Sequence, residues 1–192
     1  MAEDFLNAVE FSHFLIEKYA DKNGVLIDAT AGNGKDTKFL AEFAGDSCRI
    51  LAFDIQAEAA AGTKALLKSS GLEDKVEVYN DSHTELDKYI SENEISAVIY
   101  NLGYLPGGNK EITTEAETTI KALEKNLAFL KKYGIIILVI YTGHPGGIEE
   151  KEAVFKFAEG LDHKKYNVMH YEFINQVKNP PEVLAIIKRE QL

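Results

Sequence analysis

Short apolar runs recur along the chain, and stretches with helical periodicity separate most of them. Five of these runs end at polar or glycine-containing turns, which is typical of buried strands. They lie near residues 25–28, 49–54, 75–79, 95–101 and 134–141. Apolar positions at helical spacing connect the runs and return near 148–160. Because strands that are separated by helices run parallel in one sheet, the pattern predicts an α/β fold.

The two ends of the chain depart from this alternation. Residues 3–20 place Val9 and Tyr19 near helical spacing, which predicts an amphipathic helix before the first strand. Toward the other end, strands near 166–174 and 183–189 are joined by a short loop without a helix. The sequence therefore predicts five parallel strands closed by an antiparallel hairpin. An ordinary doubly wound α/β protein would explain the helices but not this hairpin.

Length and composition indicate a single domain. The 192 residues, 45% of them hydrophobic, are enough for one sizeable core and too few for two ordinary domains, so we expect one domain over residues 1–192. Cys48 is the only cysteine, which excludes an intrachain disulfide and a cysteine-cluster metal site. The start of the chain lacks a basic region followed by an apolar core, and no apolar run approaches the roughly 20 residues of a membrane span. A cytoplasmic location is expected.

The turn after the first strand carries the most informative motif, Asp28-Ala-Thr-Ala-Gly-Asn-Gly-Lys-Asp36. Its two glycines, Gly32 and Gly34, let the backbone turn sharply and approach a ligand closely, and the next helix directs its N-terminus at that ligand. A nucleotide-like cofactor suits such a turn. The dinucleotide fingerprint has a third glycine where this chain has Thr37, which weakens an oxidoreductase interpretation. Glycine-rich turns also occur as structural devices without a cofactor.

Two further strands end in acidic residues. Asp54 ends the second strand about one βαβ unit after Asp28. Its two carboxylate oxygens suit the vicinal hydroxyls of a ribose, although Asp54 could instead cap the next helix. Asp81 follows the third strand, with Ser82 and His83 after it. Three successive strands that end in acids predict one adenosyl site.

The ends of the fourth and fifth strands are candidates for the reaction zone. Asn101 is able to accept a hydrogen bond from an amine, and Tyr104 is able to stack on a planar base. The alternatives are an asparagine that satisfies the turn backbone and a tyrosine in the core. His144, after the fifth strand, is a candidate base because histidine is the residue type suited to proton transfer at neutral pH, with His83 as a competitor and a packing role as the alternative.

The charge pattern constrains the partners. A formal net charge of −10 argues against indiscriminate binding of nucleic acid, but a local basic patch could still bind a folded RNA. Its candidates, which are otherwise solvated helix faces, are Lys35, Lys38, Lys64, Lys68, Lys110, Lys164 and Lys165. No metal is expected, because the histidines show no paired ligand spacing.

The acid at a strand tip followed by Gly-Asn-Gly resembles motif I of class I S-adenosylmethionine-dependent methyltransferases. In that family the acid lies near the methionine amino group, and the residue that corresponds to Asp81 accepts from the adenine amine. Asn101-Leu-Gly-Tyr104 partially matches motif IV of amino-group methyltransferases, which has two prolines where this chain has Leu102-Gly103. The resemblance implies a Rossmann-like seven-stranded sheet, parallel except for a C-terminal antiparallel hairpin strand.

Four segments in the same order resemble a small bacterial family, the YtqB-type proteins. That family was long labelled putative rRNA methylases and is identified with MnmM, a transfer-RNA wobble-uridine methyltransferase. The segments are Asp28–Thr37, Asn101–Gly108, Thr142–Gly147 and Asn179–Pro181. The resemblance implies methylation of the primary amine of 5-aminomethyl-2-thiouridine in the tRNA anticodon, with S-adenosylmethionine as the donor.

This resemblance also implies the site residues. The cofactor-binding residues are Asp28, Thr30, Gly32, Asn33, Gly34, Asp36, Thr37, Asp54, Gln56, Asp81, Ser82, His83 and Asn101. The catalytic residues are Asn101, Tyr104 and His144. An rRNA methyltransferase, a small-molecule methyltransferase and a non-catalytic S-adenosylmethionine-binding module remain alternatives, and a homodimer is an open alternative to a monomer.

Overall fold

The computed structural model is built on a seven-stranded sheet with helices on both faces. It describes residues 4–91, 94–103, 113–177 and 179–190. The helices are α1 (Ala8–Tyr19), α2 (Lys35–Phe43), α3 (Ala57–Ser69), α4 (Ala116–Phe129) and α5 (Gly147–Glu159). The strands are β1 (Val25–Asp28), β2 (Arg49–Phe53), β3 (Val76–Tyr79), β4 (Ile95–Leu102), β5 (Leu130–Ile140), β6 (Tyr166–Tyr171) and β7 (Glu182–Lys188). Short 3₁₀ helices cover Glu73–Lys75 and His83–Lys88.

The strand order across the sheet is β3-β2-β1-β4-β5-β7-β6. The pairs among β1 to β5 are all parallel, whereas β7 pairs antiparallel with both β5 and β6. The last strand is therefore inserted beside the fifth and reverses direction. This confirms the predicted sheet, including its C-terminal hairpin.

Alternation along the strands divides the core into two layers. In β5, Ile136 and Leu138 join the core that faces α4 and α5, while Ile137 and Val139 join the core that faces α1, α2 and α3. Both faces are covered, so these strands are continuously apolar rather than alternating with polar residues. Burial of each such side chain contributes about 1.5–3 kcal/mol to folding.

The N-terminal helix is shorter than the predicted span 3–20, because a capping box defines its first turn. The Asn7 side chain accepts from the backbone N–H of Val9 and of Glu10, and the Glu10 carboxylate accepts from the Asn7 N–H. Helix α1 packs on β5 and β7 through Leu15 and Ile16. It also reaches the carboxyl edge of the sheet, as described below.

Two further boundaries differ from the prediction by more than one residue, and one connecting helix is shorter than expected. Strand β5 begins four residues before the predicted position because its pairing with β4 is irregular between Leu130 and Ile135, where Tyr133 has φ +64°. Strand β6 ends at Tyr171 rather than at 174. Among its described residues, the connection from β3 to β4 contains a 3₁₀ helix at His83–Lys88 and no α-helix, so the helix expected there is a short one.

Strand direction decides which segments share an edge. The carboxyl ends of β1 to β5 lie at one edge, where the residues that follow these strands meet. Strand β6 runs in the same direction as β5, because each pairs antiparallel with β7. Lys164 and Lys165, which precede β6, therefore lie at the opposite edge. Among the described helices, none combines the length and apolar composition of a membrane span.

The two-sided core makes a testable prediction at the centre of the sheet. Ile137 is fully buried, whereas Ile174 is 90% exposed. We expect Ile137→Ala to lower the free energy of unfolding by about 2–5 kcal/mol through lost burial and a residual cavity. Ile174→Ala is the matched control and should change it by less than about 0.5 kcal/mol. Urea denaturation followed by circular dichroism measures both, and equal effects would contradict the assignment of the core.

Candidate functional site

A cavity of about 530 Å³ opens at the carboxyl edge of the sheet, within the range of small-molecule sites. The segments that follow β1, β2, β3 and β4 contribute to its wall. The predicted site residues that line it are Thr30, Gly32, Asn33, Asp36, Asp54, Gln56, Asp81, Ser82, His83 and Asn101. Asp28, Gly34, Thr37 and His144 are not among the described lining residues, and Tyr104 lies outside the described part of the chain.

The glycines of the loop after β1 are required by its geometry. Gly32 has φ +52° and Gly34 has φ +77°, a region that side-chain-bearing residues rarely adopt. A Cβ atom on Gly34 would also come within 3.0 Å of Thr63. The Thr63 hydroxyl donates to the Gly32 carbonyl at 3.2 Å, so α3 holds the loop from behind. The loop is thereby fixed against the cavity.

Asp28 lies behind this loop and is fully buried. Its carboxyl accepts from the Thr37 hydroxyl at 2.6 Å and from the Thr30 backbone N–H at 3.1 Å. Burial raises the pKa of the Asp28 carboxyl to about 7, and the nearby negative charge of Asp36 adds to the rise. The structure therefore places Asp28 and Thr37 as a buried support for Thr30, which itself lines the cavity.

The Asp54 carboxylate is oriented by backbone donors on both sides. One oxygen accepts from the Gly32 N–H at 2.8 Å and the other from the Gln56 N–H at 2.9 Å. Each oxygen retains a further lone pair, because a carboxylate has about four acceptor positions. Asp54 can thus tie down the loop after β1 and still accept from two hydroxyl groups in the cavity.

Asp81 and His83 form the next part of the wall. Asp81 accepts from the Tyr89 hydroxyl and the Ser82 N–H, each at 2.8 Å, and these donors lower the pKa of Asp81. His83 Nδ1 lies 3.1 Å from the Ala29 carbonyl, which can only accept, so Nδ1 carries the proton. Burial lowers the pKa of His83, and its Nε2 has no hydrogen-bond partner among the described residues. The neutral ring therefore offers Nε2 as a buried acceptor.

Asn101, at the end of β4, is held from two directions. Its backbone N–H donates to the Thr30 hydroxyl at 2.7 Å, and its side-chain nitrogen donates to Asp36 Oδ2 at 2.5 Å. The other Asp36 oxygen lies 2.6 Å from His13 Nε2 on α1. The loop after β1 and the start of α2 thus hold Asn101 directly, and α1 contributes through Asp36.

His144 lies in the loop between β5 and α5. It is buried, and its Nδ1 lies 3.0 Å from the Pro145 carbonyl. A Cβ atom on Gly147 would come within 2.9 Å of His144 Nε2, so the glycine permits this close packing. The role of His144 as a base stays a prediction.

Several lining residues were not identified from the sequence. Val9, Ile55, Thr113, Thr114, Thr118 and Tyr141 also line the cavity. Ile55 had a usable signal in the sequence, because it is an apolar residue directly after an acidic strand tip. In the structure its side chain is largely exposed. The threonines lie before or within the first turn of α4 and carry no local motif. Only the fold brings them to the edge of the sheet.

The basic residues do not converge as expected. Lys35 lines the cavity, but Lys38 pairs with Glu42, and Lys68 lies in the last turn of α3, away from the carboxyl edge. Lys110 lies outside the described residues. Among the described residues that line the cavity, Asp36, Asp54 and Asp81 are acidic and Lys35 is the one lysine. The cavity therefore suits a cationic ligand.

A group of potential metal ligands forms on the β6–β7 hairpin, away from the cavity. Side-chain ligand atoms of His170, Glu172 and Glu182 lie within 4.8 Å of one another. Histidine spacing could not reveal this group, because antiparallel pairing brings Glu182 to His170. The Lys151 ammonium already lies 2.5 Å from Glu182, and the group is explained by ion pairing.

Comparisons with known proteins agree with the geometry. The family model described as "Putative rRNA methylase" matches residues 50–187. A chloroplastic tRNA (mnm(5)s(2)U34)-methyltransferase of Arabidopsis thaliana is 38% identical over 192 residues, which covers 95% of this chain and 70% of the relative.

Two solved structures extend the comparison to three dimensions. A putative rRNA-methylase from Clostridium thermocellum is 43% identical, with a TM-score of 0.92 over 96% of this chain and 99% of that one. A putative methyltransferase from Streptococcus mutans, in complex with SAH, is 36% identical, with a TM-score of 0.87 over the same shares.

The raised pKa of Asp28 makes stability depend on pH. A carboxyl with a higher pKa in the folded protein binds its proton more tightly when folded. Its stabilising contribution is fully present below the ordinary value of 3.8 and is lost as the pH rises through about 7. In the ligand-free protein we expect wild type to lose free energy of unfolding relative to Asp28→Asn between about pH 5 and about pH 8.

Urea denaturation of both proteins at the two pH values measures this effect. Asp46→Asn, at an exposed position, is the control and should differ from wild type by the same amount at both. A difference between wild type and Asp28→Asn that does not change with pH would contradict the prediction.

Proposed function

The chain belongs to the putative rRNA methylase family, and from that premise we propose that it methylates a primary amine on the wobble uridine of a transfer RNA. It is an S-adenosylmethionine-dependent methyltransferase with the class I fold. The proposal takes residues 1–192 as one catalytic domain, because a single sheet carries every described wall of the cavity. The substrate we propose is 5-aminomethyl-2-thiouridine at the anticodon.

The observation that carries the proposal is the cavity wall formed by the tips of four neighbouring strands. Its residues fit an adenosyl cofactor. A tight loop at Gly32 and Gly34 leaves room for close approach, and Asp54 has spare acceptor positions for a ribose diol. Asp81 and the buried Nε2 of His83 offer acceptors where we place the adenine amine. When bound, the cofactor supplies an electrophilic methyl group on a sulfonium.

The methionine end of the cofactor suits the acidic part of the cavity. Asp36 lines the cavity near the helix N-terminus, and Asp28 lies behind the loop with a pKa of about 7, so a bound cation would favour its ionised form. An α-ammonium group and a sulfonium are both cationic, so these carboxylates favour them. We propose that Thr30 and Asn33 complete the contacts at this end, with Asp28 and Thr37 holding Thr30 in place.

The reaction needs a neutral amine held in line with the methyl group. Asn101 is positioned for this task, because its amide lines the cavity and its carbonyl oxygen can accept from an amine N–H. When the Asn101 carbonyl oxygen accepts a hydrogen bond from one N–H of the amine, it fixes the orientation of the amine and therefore the direction of the nitrogen lone pair. Tyr104 is proposed to stack on the base and His144 to take the proton, as the family resemblance implies.

The proposal of an RNA partner rests on the similarity to a tRNA methyltransferase rather than on the net charge of this protein. The Arabidopsis thaliana protein is named for the wobble position of tRNA, and it matches 95% of this chain at 38% identity. Lys35 at the cavity is available for a phosphate contact. The net charge of −10 opposes general affinity for RNA, so we expect recognition to be local and specific.

The direct test is methyl transfer from labelled donor to three purified acceptors. They are tRNA that carries 5-aminomethyl-2-thiouridine, ribosomal RNA, and the free nucleoside. We expect label on the tRNA, on the exocyclic amine, as located by nucleoside mass spectrometry. Label on ribosomal RNA alone, or equal label on the free nucleoside, would contradict the proposal.

The assignment of Asp54 is tested by cofactor binding. We expect Asp54→Ala to weaken S-adenosylmethionine binding by about 1.5–3 kcal/mol, because a charged acceptor for the ribose is lost. Titration calorimetry measures this, and Asp46→Ala at an exposed position is the matched control. Unchanged affinity in Asp54→Ala would remove this residue from the cofactor site.

A further inference from the structure

A hydrogen-bonded chain joins the N-terminal helix to the reaction zone. His13 Nε2 on α1 lies 2.6 Å from Asp36 Oδ1, and Asp36 Oδ2 accepts from Asn101 Nδ2 at 2.5 Å. Both Asp36 oxygens are thus engaged by nitrogen atoms from other elements. Asp36 and Asn101 line the cavity, whereas His13 stands behind them with 25% of its side chain exposed.

The chemistry of Asp36 fixes the orientation of the Asn101 amide. An ionised carboxylate only accepts hydrogen bonds, so it must face the amide NH₂ group rather than the amide oxygen. The Asn101 Oδ1 atom is therefore turned away from Asp36. The same rule requires the imidazole of His13 to carry a proton on Nε2. The two assignments follow from donor and acceptor types and not from the placement of hydrogen atoms.

Packing holds His13, the first residue of this hydrogen-bonded series, in place. The His13 ring stacks on Phe39 with 3.8 Å between centroids and an interplanar angle of 4°. Asp36 and Phe39 are three residues apart on α2 and so share one helix face, which presents both to the same imidazole. Leu15 and Ile16 anchor α1 in the core. His13 is thus held by stacking and by its helix, and it can restrain the Asp36 carboxylate in turn.

We propose that His13 is a positioning residue for methyl transfer, which acts through Asp36 to hold the Asn101 amide with its Oδ1 toward the substrate amine. This inference rests on the proposed role of Asn101 as the amine acceptor. Without the His13 donor, Asp36 would be free to rotate, and the Asn101 amide would lose its fixed orientation. The loss falls on the productive geometry of the amine and not on the adenosyl end of the cavity.

The test compares variants that separate the stack from the hydrogen bond. His13→Phe keeps a ring over Phe39 but has no donor, whereas His13→Gln keeps an amide donor of similar reach. His163→Phe, in the turn before β6 at the opposite edge of the sheet, is the matched control. We expect His13→Phe to lower kcat about tenfold, the effect of one lost hydrogen bond on the barrier, with S-adenosylmethionine affinity unchanged. His13→Gln should recover most of the loss, and His163→Phe should match wild type.

A double-mutant cycle with Asn101→Ala shows whether His13 acts through Asn101. We expect His13→Phe to cause no further loss of kcat in the Asn101→Ala background. Losses that multiply would overturn the inference, as would a fall in cofactor affinity that accounts for the loss. If Asn101→Ala itself leaves kcat unchanged, the proposed function of Asn101 fails, and this outcome is distinct from the failure of His13 alone.

A second variant guards against a folding defect. Asp36→Asn has nearly the shape of the native residue, and it removes one of the two acceptor oxygens in the chain. We expect it to lower kcat at saturating S-adenosylmethionine as His13→Phe does, with an unchanged thermal midpoint of unfolding. Loss of the carboxylate at the methionine end should also weaken cofactor binding, which titration calorimetry measures separately from kcat. Full activity in a folded Asp36→Asn protein would overturn the inference.

Discussion

Parallel pairing of β1 with β2 on one side and with β4 on the other is the constraint on which the site depends. The ladders continue past the strand ends, because the Ala29 N–H donates to the Ile99 carbonyl and the Ala31 N–H to the Phe53 carbonyl, each at 2.9 Å. The glycine loop is therefore bound to both neighbouring strands before it enters α2. This fixes the loop between the tips of β2 and β4, and so between the groups proposed to bind the ribose and the amine.

The same edge concentrates negative charge in one place. Three aspartates lie at the ends of β1, β2 and β3, and backbone N–H groups and hydroxyls donate to them; they are Asp28, Asp54 and Asp81. Asp36, in the first turn of α2, is engaged by the side chains of His13 and Asn101 instead. Full burial of Asp28 disfavours its charged form, and the pKa of its carboxyl therefore rises well above the ordinary value. A cationic cofactor complements such a wall. Burial of Asp28 lowers the stability of the ligand-free protein at a pH where this carboxyl must ionise.

Local sequence patterns were sufficient for the strands and for half of the described residues that line the cavity. Strand tips are local features, and parallel topology brings them together whatever the details of packing, so Asp54, Asp81 and Asn101 could be assigned to one edge in advance. The role of Asp28 was harder to foresee, since only packing decides whether a strand-tip acid faces the cavity or the core. The irregular start of β5 at Leu130 likewise depends on its pairing with β4.

Contacts between distant segments account for what the sequence did not reveal. His13 has no motif around it, and it meets Asp36 only because α1 packs beside α2. The candidate lysines do not share one surface for a related reason, because α3 leads back from the site and Lys68 lies in its last turn. The number of charged residues in a sequence does not show at which edge of the sheet the fold places each of them.

The central claim is that this methyltransferase completes a modified wobble uridine in tRNA. Nucleoside mass spectrometry of total tRNA from cells that lack the protein tests it most directly. The account predicts that 5-methylaminomethyl-2-thiouridine disappears, that 5-aminomethyl-2-thiouridine accumulates, and that the wild-type gene restores the original pattern. Unchanged tRNA nucleosides, accompanied by the loss of a methylated nucleoside from ribosomal RNA, would contradict it.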